Sequence, residues 1–311
     1  MTGAATAARA RAVTGAGPAI AIAGLVKDYG SIHAVRGIDL EVQRGEVFGF
    51  LGPNGAGKST TIRCLLDLLR PTAGRLEVLG LDPQRDGVRV RARLAYVPGE
   101  LRLPDRLTVA QLAESFGRLR GGFDPDRRAA LAERLDLDLG RPLRDLSSGN
   151  RRKVALLLAF LPEAELLILD EPTSGLDPLM QHVFLELVSE ARAAGTTVFL
   201  SSHVLSEVQR AADRVAVLRA GNVVALGTVE AIRGRIRQRL EVWFEGQPPA
   251  EALRALPGLT AARLDGDRFS AVLGGPIQPV IELLARHPVR QLLVQEPDLE
   301  EAFLDLYEED A

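Results

Sequence analysis

With 311 residues, 46% of them hydrophobic and 25% charged, the chain can bury one large core or two smaller ones, and a disordered polymer is excluded. A formal net charge of -3 excludes a protein that holds nucleic acid through bulk positive charge, so no nucleic-acid partner is expected. The single cysteine, Cys64, excludes an internal disulfide and points to a reducing compartment, the cytoplasm.

Residues 1–18 are small, polar and basic; they read as a disordered tail rather than a cleaved signal peptide, because the apolar stretch after them is short and broken by Gly24. A strand is expected from Ile20 to Val26. The stretch "VFGFLGPNGAGKST" then runs from a buried strand, Val47 to Leu51, through glycines into a helix from Ser59 to Leu69 that Pro71 stops. Thr108 and Gln111 form a capping box ahead of Val109, Leu112, Ala113, Phe116 and Leu119, and Gly121 with Gly122 close that helix. Asp124 and Pro125 open another, and "LSSGNRRKV" starts a third with Ser147 as its N-cap. Its apolar run, Val154 to Leu161, stops at Pro162, short of the roughly 18 residues that cross a bilayer, so no membrane span is expected. The strand "LLILD", a helix from Asp177-Pro178 to Gly195, the strand "TVFLS" and a hairpin at Ala220 to Asn222 follow. Strands alternating with helices predict a mostly parallel sheet.

From about residue 236 the pattern changes. "LEVWFEG" alternates, Pro249 to Ala255 is a short helix, and two strands flank the turn Asp265 to Asp267. Another helix, the strand Val289 to Gln295 and a last helix capped by Asp298 with Glu301 complete a βαββαβα order of ferredoxin-like, α+β character. Leu299, Phe303 and Leu306 share one face of that last helix. Residues 236–311 are therefore expected to form a second domain.

The chemistry is concentrated before that point. Gly52 to Ser59 fits G-x-x-x-x-G-K-[ST], with a strand before it and a helix after. Gly52, Gly55 and Gly57 let backbone N–H groups curl round phosphate oxygens, Lys58 neutralises the β- and γ-phosphates, and Ser59 ligates Mg²⁺. Asp170, at the end of "LLILD", is placed to hold the Mg²⁺ shell, and Glu171 to polarise a water as general base. At Leu146 to Asn150, two hydroxyls and bare backbone N–H groups at the positive end of a helix make an anion site.

Taken in order and spacing, Gly52–Ser59, "LSSGN", "LDEP", "SGLD" and a histidine after a strand, His203, resemble the ATP-binding cassette of ABC transporters over about residues 20–235. The resemblance implies an α/β P-loop NTPase fold over residues 19–235, with an inserted helical subdomain at about 97–160, that binds ATP and Mg²⁺. Asn54, Ala56 and Thr60 would join the phosphate cradle, and Tyr29 would stack on adenine. It implies a head-to-tail homodimer or paired cassette, in which Ser147, Ser148 and Gly149 of one chain close on the γ-phosphate of the nucleotide held by the other. Asp177 would reach across that dimer, and His203 would contact the γ-phosphate. His33, His182 and His287 read as surface or packing residues, and Cys64 as core.

The sequence departs from the family pattern at three places. Ser148 stands where glycine is usual and Asn150 where glutamine is common; both keep small or polar groups at the helix start. In "YVPGE", Gly99 replaces the glutamine that links metal and water to the transport partner. Glu100 either takes over part of that task or is a solvated carboxylate facing the membrane partner. A lone cassette followed by an α+β tail resembles the nucleotide-binding subunit of a bacterial exporter of drugs or antibiotics, held at the cytoplasmic face of the cell membrane by a separate integral membrane permease. An importer subunit, a soluble ABC ATPase and a ligand-sensing role for residues 236–311 are the rival readings.

Overall fold

A strand buried on both faces needs an unbroken apolar run, and the computed structural model, which describes residues 17–233 and 238–295, builds its largest sheet from such runs. The chain falls into two units, Met1–Gly227 and Thr228–Ala311.

In chain order the first unit holds β1 (Ile20–Tyr29), β2 (Ile32–Val42), β3 (Val47–Leu51), α1 (Lys58–Leu65), β4 (Ala73–Val78), α2 (Gly87–Arg93) and β5 (Leu94–Val97). Then come α3 (Val109–Leu119), α4 (Pro125–Arg134), α5 (Ser148–Phe160), β6 (Leu166–Asp170), α6 (Pro178–Ala193), β7 (Thr197–Ser202), α7 (Leu205–Ala211), β8 (Arg214–Arg219) and β9 (Asn222–Thr228). The six-stranded sheet runs β5-β6-β7-β3-β8-β9, and every pair from β5 to β8 is parallel. Parallel strands all end at one edge, so Gly52, Pro98, Glu171 and His203, each the first residue after its strand, emerge on the same side. Along this sheet Phe48 and Phe199 stack with ring centroids 5.9 Å apart, and Phe50 tilts against Phe199 at 5.1 Å.

A second sheet, β2-β1-β4, is antiparallel. The expectation of a mostly parallel sheet did not include it. Its strand β2 buries Val35, Ile38, Leu40 and Val42 while its other residues face outward, the one-sided pattern of a sheet that covers a core. Between β5 and β6 lie α3, α4, a single 3₁₀ turn at Leu143–Asp145 and α5, the helical insertion.

The helix starts follow the capping chemistry. At α3 both halves of the Thr108–Gln111 box are made, at 2.9 and 3.2 Å. Ser147 Oγ accepts from Asn150 N–H at α5, and Asp177 Oδ1 from Met180 N–H at α6. The phosphate-loop helix is shorter than expected, ending at Leu65 rather than Leu69. Asp67 adopts a left-handed backbone, φ 56°, which turns the chain so that Leu68 and Leu69 N–H both donate to the Arg63 carbonyl.

The second unit contains α8 (Val229–Arg233), β10 (Gln238–Phe244), α9 (Ala250–Arg254), β11 (Leu259–Asp265), β12 (Arg268–Leu273), α10 (Gln278–Leu284) and β13 (Val289–Gln295). Its antiparallel sheet has the order β11-β12-β10-β13, the split βαβ arrangement of ferredoxin-like folds. Leu240, Val242, Phe244, Phe269, Ala271 and Leu273 project from one sheet face onto Leu253 of α9 and Val280 and Leu284 of α10. The expected last helix, with Asp298, Leu299, Glu301, Phe303 and Leu306, lies outside the described residues, as do residues 1–16 of the expected tail.

Candidate nucleotide site

Strand β3 delivers the chain into the glycine loop, and two neighbouring strands force glycine there. A Cβ on Gly52 would sit 2.4 Å from the Leu218 carbonyl oxygen of β8. One on Gly57, whose φ is 109°, would sit 2.5 Å from the Ala34 carbonyl oxygen of β2. Lys58 is 6% exposed, and its ammonium donates to Gly52 O at 2.5 Å and Pro53 O at 3.2 Å.

Beside the loop, β6 ends in Asp170, and Glu171 follows it. Asp170 is buried; its Oδ1 accepts from Ser201 Oγ at 2.6 Å, while Oδ2 faces Gly99. Glu171 takes the left-handed backbone region, φ 50°, which costs a non-glycine residue about 1–3 kcal/mol. Its N–H is held by Ser201 O and Ser201 Oγ, both at 3.2 Å. The turned carboxylate spans two cations or donors: Oε1 lies 3.2 Å from Lys58 Nζ and Oε2 lies 2.7 Å from His203 Nδ1. A carboxylate only accepts, so Nδ1 carries the proton of that bond. Oε1 is buried and makes no hydrogen bond among the described residues, its contact with Lys58 being an ion pair.

Glu171 and His203 line one cleft of about 260 Å³ together with Asn54, Ser59, Gly99, Glu100 and Ser174, while Lys58 and Asp170 lie buried behind it. Gly55 lies exposed in the glycine loop, Ala56 is buried behind it and Thr60 is half-buried on α1. Glu100 is exposed, on the same cleft as Ser59 and Glu171. Other expected site residues lie elsewhere. Tyr29, at the end of β1, is 44% exposed with the Lys27 ammonium 5.1 Å above its ring. Ser147, Ser148 and Gly149 open α5, and a Cβ on Gly149 would meet Gly175 O at 2.9 Å, so the start of that helix abuts the loop leading to Asp177. None of Tyr29, Ser147, Ser148, Gly149 or Asp177 lines the cleft.

Sequence reasoning missed Ser201 and Glu207. Glu207 Oε2 accepts from Thr173 Oγ1 at 2.7 Å and Ser202 Oγ at 2.9 Å, tying the segment after Glu171 to the one before His203. The polar pair Ser201-Ser202 closing an otherwise apolar strand was the available signal. Burial and the Asp170 charge push the Tyr96 phenol up to about 12. Burial likewise raises the Cys64 thiol, consistent with a core role. His33 pairs with Asp28 at 2.7 Å and His182 with Glu186 at 3.4 Å, away from the cleft.

Among the described residues no three His, Cys, Asp or Glu side chains gather as a metal cage. Ser59 lines the cleft, and Asp170 Oδ2 faces Gly99, which lines it too, so a hydroxyl and a carboxylate oxygen are on offer there. That set fits Mg²⁺, a hard cation that keeps waters and substrate phosphates in its shell.

A glycine loop at a strand–helix junction, with an acidic pair at the end of β6, two strands along the same parallel sheet, defines a P-loop nucleotide-binding ATPase. The family model described as "ABC transporter" matches residues 35–174. The chain is 38% identical to the daunorubicin resistance ATP-binding protein DrrA3 of Streptomyces coeruleorubidus, over 94% of this chain and 96% of that protein. It is 33% identical to the Nod factor export ATP-binding protein I of Rhizobium meliloti (strain 1021), over 95% of this chain and 90% of that protein. Among solved structures, an ATP-binding subunit of an ABC transporter superposes with a TM-score of 0.64 at 31% identity, over 69% of this chain and 91% of the other. The chain belongs to the ATP-binding proteins of ABC transporters, and it is an ATPase. No helix of the described residues is long and apolar enough to cross a membrane.

Proposed function

We propose that this chain hydrolyses ATP as the nucleotide-binding subunit of an exporter of drug-like or antibiotic molecules. It works as a head-to-tail dimer, with itself or a paired cassette, on a separate integral membrane subunit at the cytoplasmic face of the membrane. The observation that carries the dimer is the separation within one chain: Lys58 and His203 both contact Glu171, while the capped helix start at Ser147–Gly149 abuts Gly175 and lies outside the cleft that Glu171 and His203 line. A helix N-terminus with free hydroxyls is an anion site, and a second chain would supply the anion. Relatives named for drug resistance and for Nod factor export match over more than nine-tenths of the chain, which favours export over the importer and soluble readings.

In this reading an incoming triphosphate displaces Glu171 from Lys58, and the freed carboxylate turns to a water as general base. His203, held through Nδ1, presents Nε2 to the γ-phosphate. Backbone N–H groups of residues 54–60 cradle the phosphates, Tyr29 stacks on the adenine, and Asp177 reaches the partner chain. Ser59 and Asp170 would hold Mg²⁺, which supplies charge neutralisation for phosphoryl transfer.

The test is Glu171→Gln. It is expected to lower turnover by about 10²- to 10⁴-fold and to accumulate an ATP-bound dimer seen by light scattering. Adding Ser147→Arg should return that dimer to monomers with single-chain ATP affinity kept. A Glu171→Gln chain that stays monomeric at saturating Mg-ATP overturns the proposal.

A further inference from the structure

The loop after β5 runs Pro98-Gly99-Glu100 and carries no side chain at Gly99 that could reach the acidic pair. It is nevertheless fixed. Arg152, on α5 and five residues after Ser147, is 7% exposed. Its Nη1 donates to Pro98 O at 2.6 Å and its Nη2 to Gly99 O at 2.7 Å. Two charge-assisted bonds from one planar fork to consecutive carbonyls fix orientation as well as distance, which an ammonium does not do.

What the fork holds lies against Asp170. Val97 pairs with Leu169 across β5 and β6, so the loop leaves β5 level with the end of β6. A Cβ on Gly99 would come within 3.2 Å of Asp170 Oδ2 and 3.7 Å of its carbonyl oxygen. Burial lowers the Arg152 guanidinium while the charges of Asp170 and Glu171 raise it, so the cation and both carboxylates sense one another.

We propose that Arg152 is a positioning residue: it locks the Pro98-Gly99 backbone onto Asp170 and thereby couples the helix carrying Ser147 to the chain's own carboxylate pair. The proposal rests on the reading of Asp170 as a metal ligand and of Ser147 as a contact to the partner's nucleotide. It gives this chain a backbone-and-guanidinium link in place of the absent side chain at Gly99. A shift of α5 as its N-terminus engages the partner's nucleotide would be transmitted through two hydrogen bonds to the loop over Asp170.

The test uses the full chain with Arg152→Met, Arg152→Lys and Gly99→Ala. Hydrogen exchange at the Gly99 and Glu100 amides, measured without nucleotide, should quicken about ten-fold or more in Arg152→Met, which removes both charged hydrogen bonds to the loop. The Mg²⁺ concentration for half-maximal hydrolysis should rise by a similar factor, and Arg152→Lys should recover only part of either change. Arg152→Met combined with Gly99→Ala should need no more Mg²⁺ than the poorer single variant, because both act on one loop. Faster exchange with an unchanged Mg²⁺ requirement, or strictly additive effects, overturns the coupling. If Arg152→Met does not fold, the same two measurements are made on Arg152→Lys, and faster exchange with an unchanged Mg²⁺ requirement overturns the coupling there too. A failure of the underlying site reading looks different: Asp170→Asn would then keep its Mg²⁺ requirement, and Ser147→Arg would leave the ATP-bound dimer intact, whatever stands at residue 152.

Discussion

The two units solve burial in opposite ways, and only one of them acquires chemistry by doing so. In the first, β3, β6 and β7 are covered on both faces, with every residue of each strand buried. Polarity is expelled to the strand ends, where parallel pairing collects Gly52, Glu171 and His203 at one edge. In the second, the β10–β13 sheet is antiparallel and buries one face, so polar residues such as Arg239 and Glu241 alternate with core residues along the strand. Charge there is spread over a face and pairs with near neighbours, as Arg268 does with Glu241 at 2.6 Å. A doubly covered sheet therefore concentrates functional groups, and a half-covered one disperses them.

The comparison breaks if the two cores are not separate. Phe199→Ala removes the ring that packs on Phe48 and Phe50, and Phe269→Ala removes the centre of the second core. Each should cost about 3–5 kcal/mol. In calorimetry Phe199→Ala should lower the transition that ATP stabilises, whereas Phe269→Ala should lower another transition and leave ATP turnover intact. Equal shifts of one shared transition in both variants would refute the division.

A smaller effect sharpens the contrast in polar contacts. Ser201→Ala leaves Asp170 Oδ1 without its 2.6 Å donor in a fully buried setting and should cost about 1–3 kcal/mol with a clear fall in turnover. Glu241→Gln, whose partner Arg268 is half-exposed and whose amide can still accept from that guanidinium, should cost under about 1 kcal/mol by urea denaturation and leave turnover unchanged. Comparable losses of stability would remove the distinction.

The smallest expected effect is acid-side. Arg134 bonds to Glu190 and holds its carboxyl below the ordinary 4.5. A depressed folded value means stability that is present above the unfolded value and is lost as pH falls through the folded one. With the Glu190 side chain 60% exposed, screening limits the pair to about 0.5 kcal/mol. Arg134→Met should lower the urea midpoint slightly at about pH 7, and the difference should shrink as pH falls below 4.5 and through the depressed Glu190 value; a constant difference across that range would assign the effect to packing.

Local chemistry was readable ahead of the fold. The Thr108–Gln111 box, the Asp177 cap, the hairpin at Ala220 and the strand Val289–Gln295 depend on neighbours within a few residues, and each stands where the pattern puts it. The α1 terminus does not, because a left-handed Asp67 carries no side-chain signal comparable to glycine. The β2-β1-β4 sheet was missed for a different reason: β4 pairs with β1 across two intervening strands and a helix, and alternation alone does not say with whom a strand pairs.

The sequence by itself determined the glycine loop, the acidic strand end and the helix capped by Ser147, since each is a contiguous run whose spacing encodes its own backbone geometry. Only tertiary structure decided that one carboxylate bridges Lys58 and His203, residues 113 and 32 positions from Glu171, that Ser201 steadies both acids, and that Arg152 reaches back 53 residues to Gly99. Those partners meet because parallel strands distant in sequence end at one edge, and no local pattern records which ends will be neighbours.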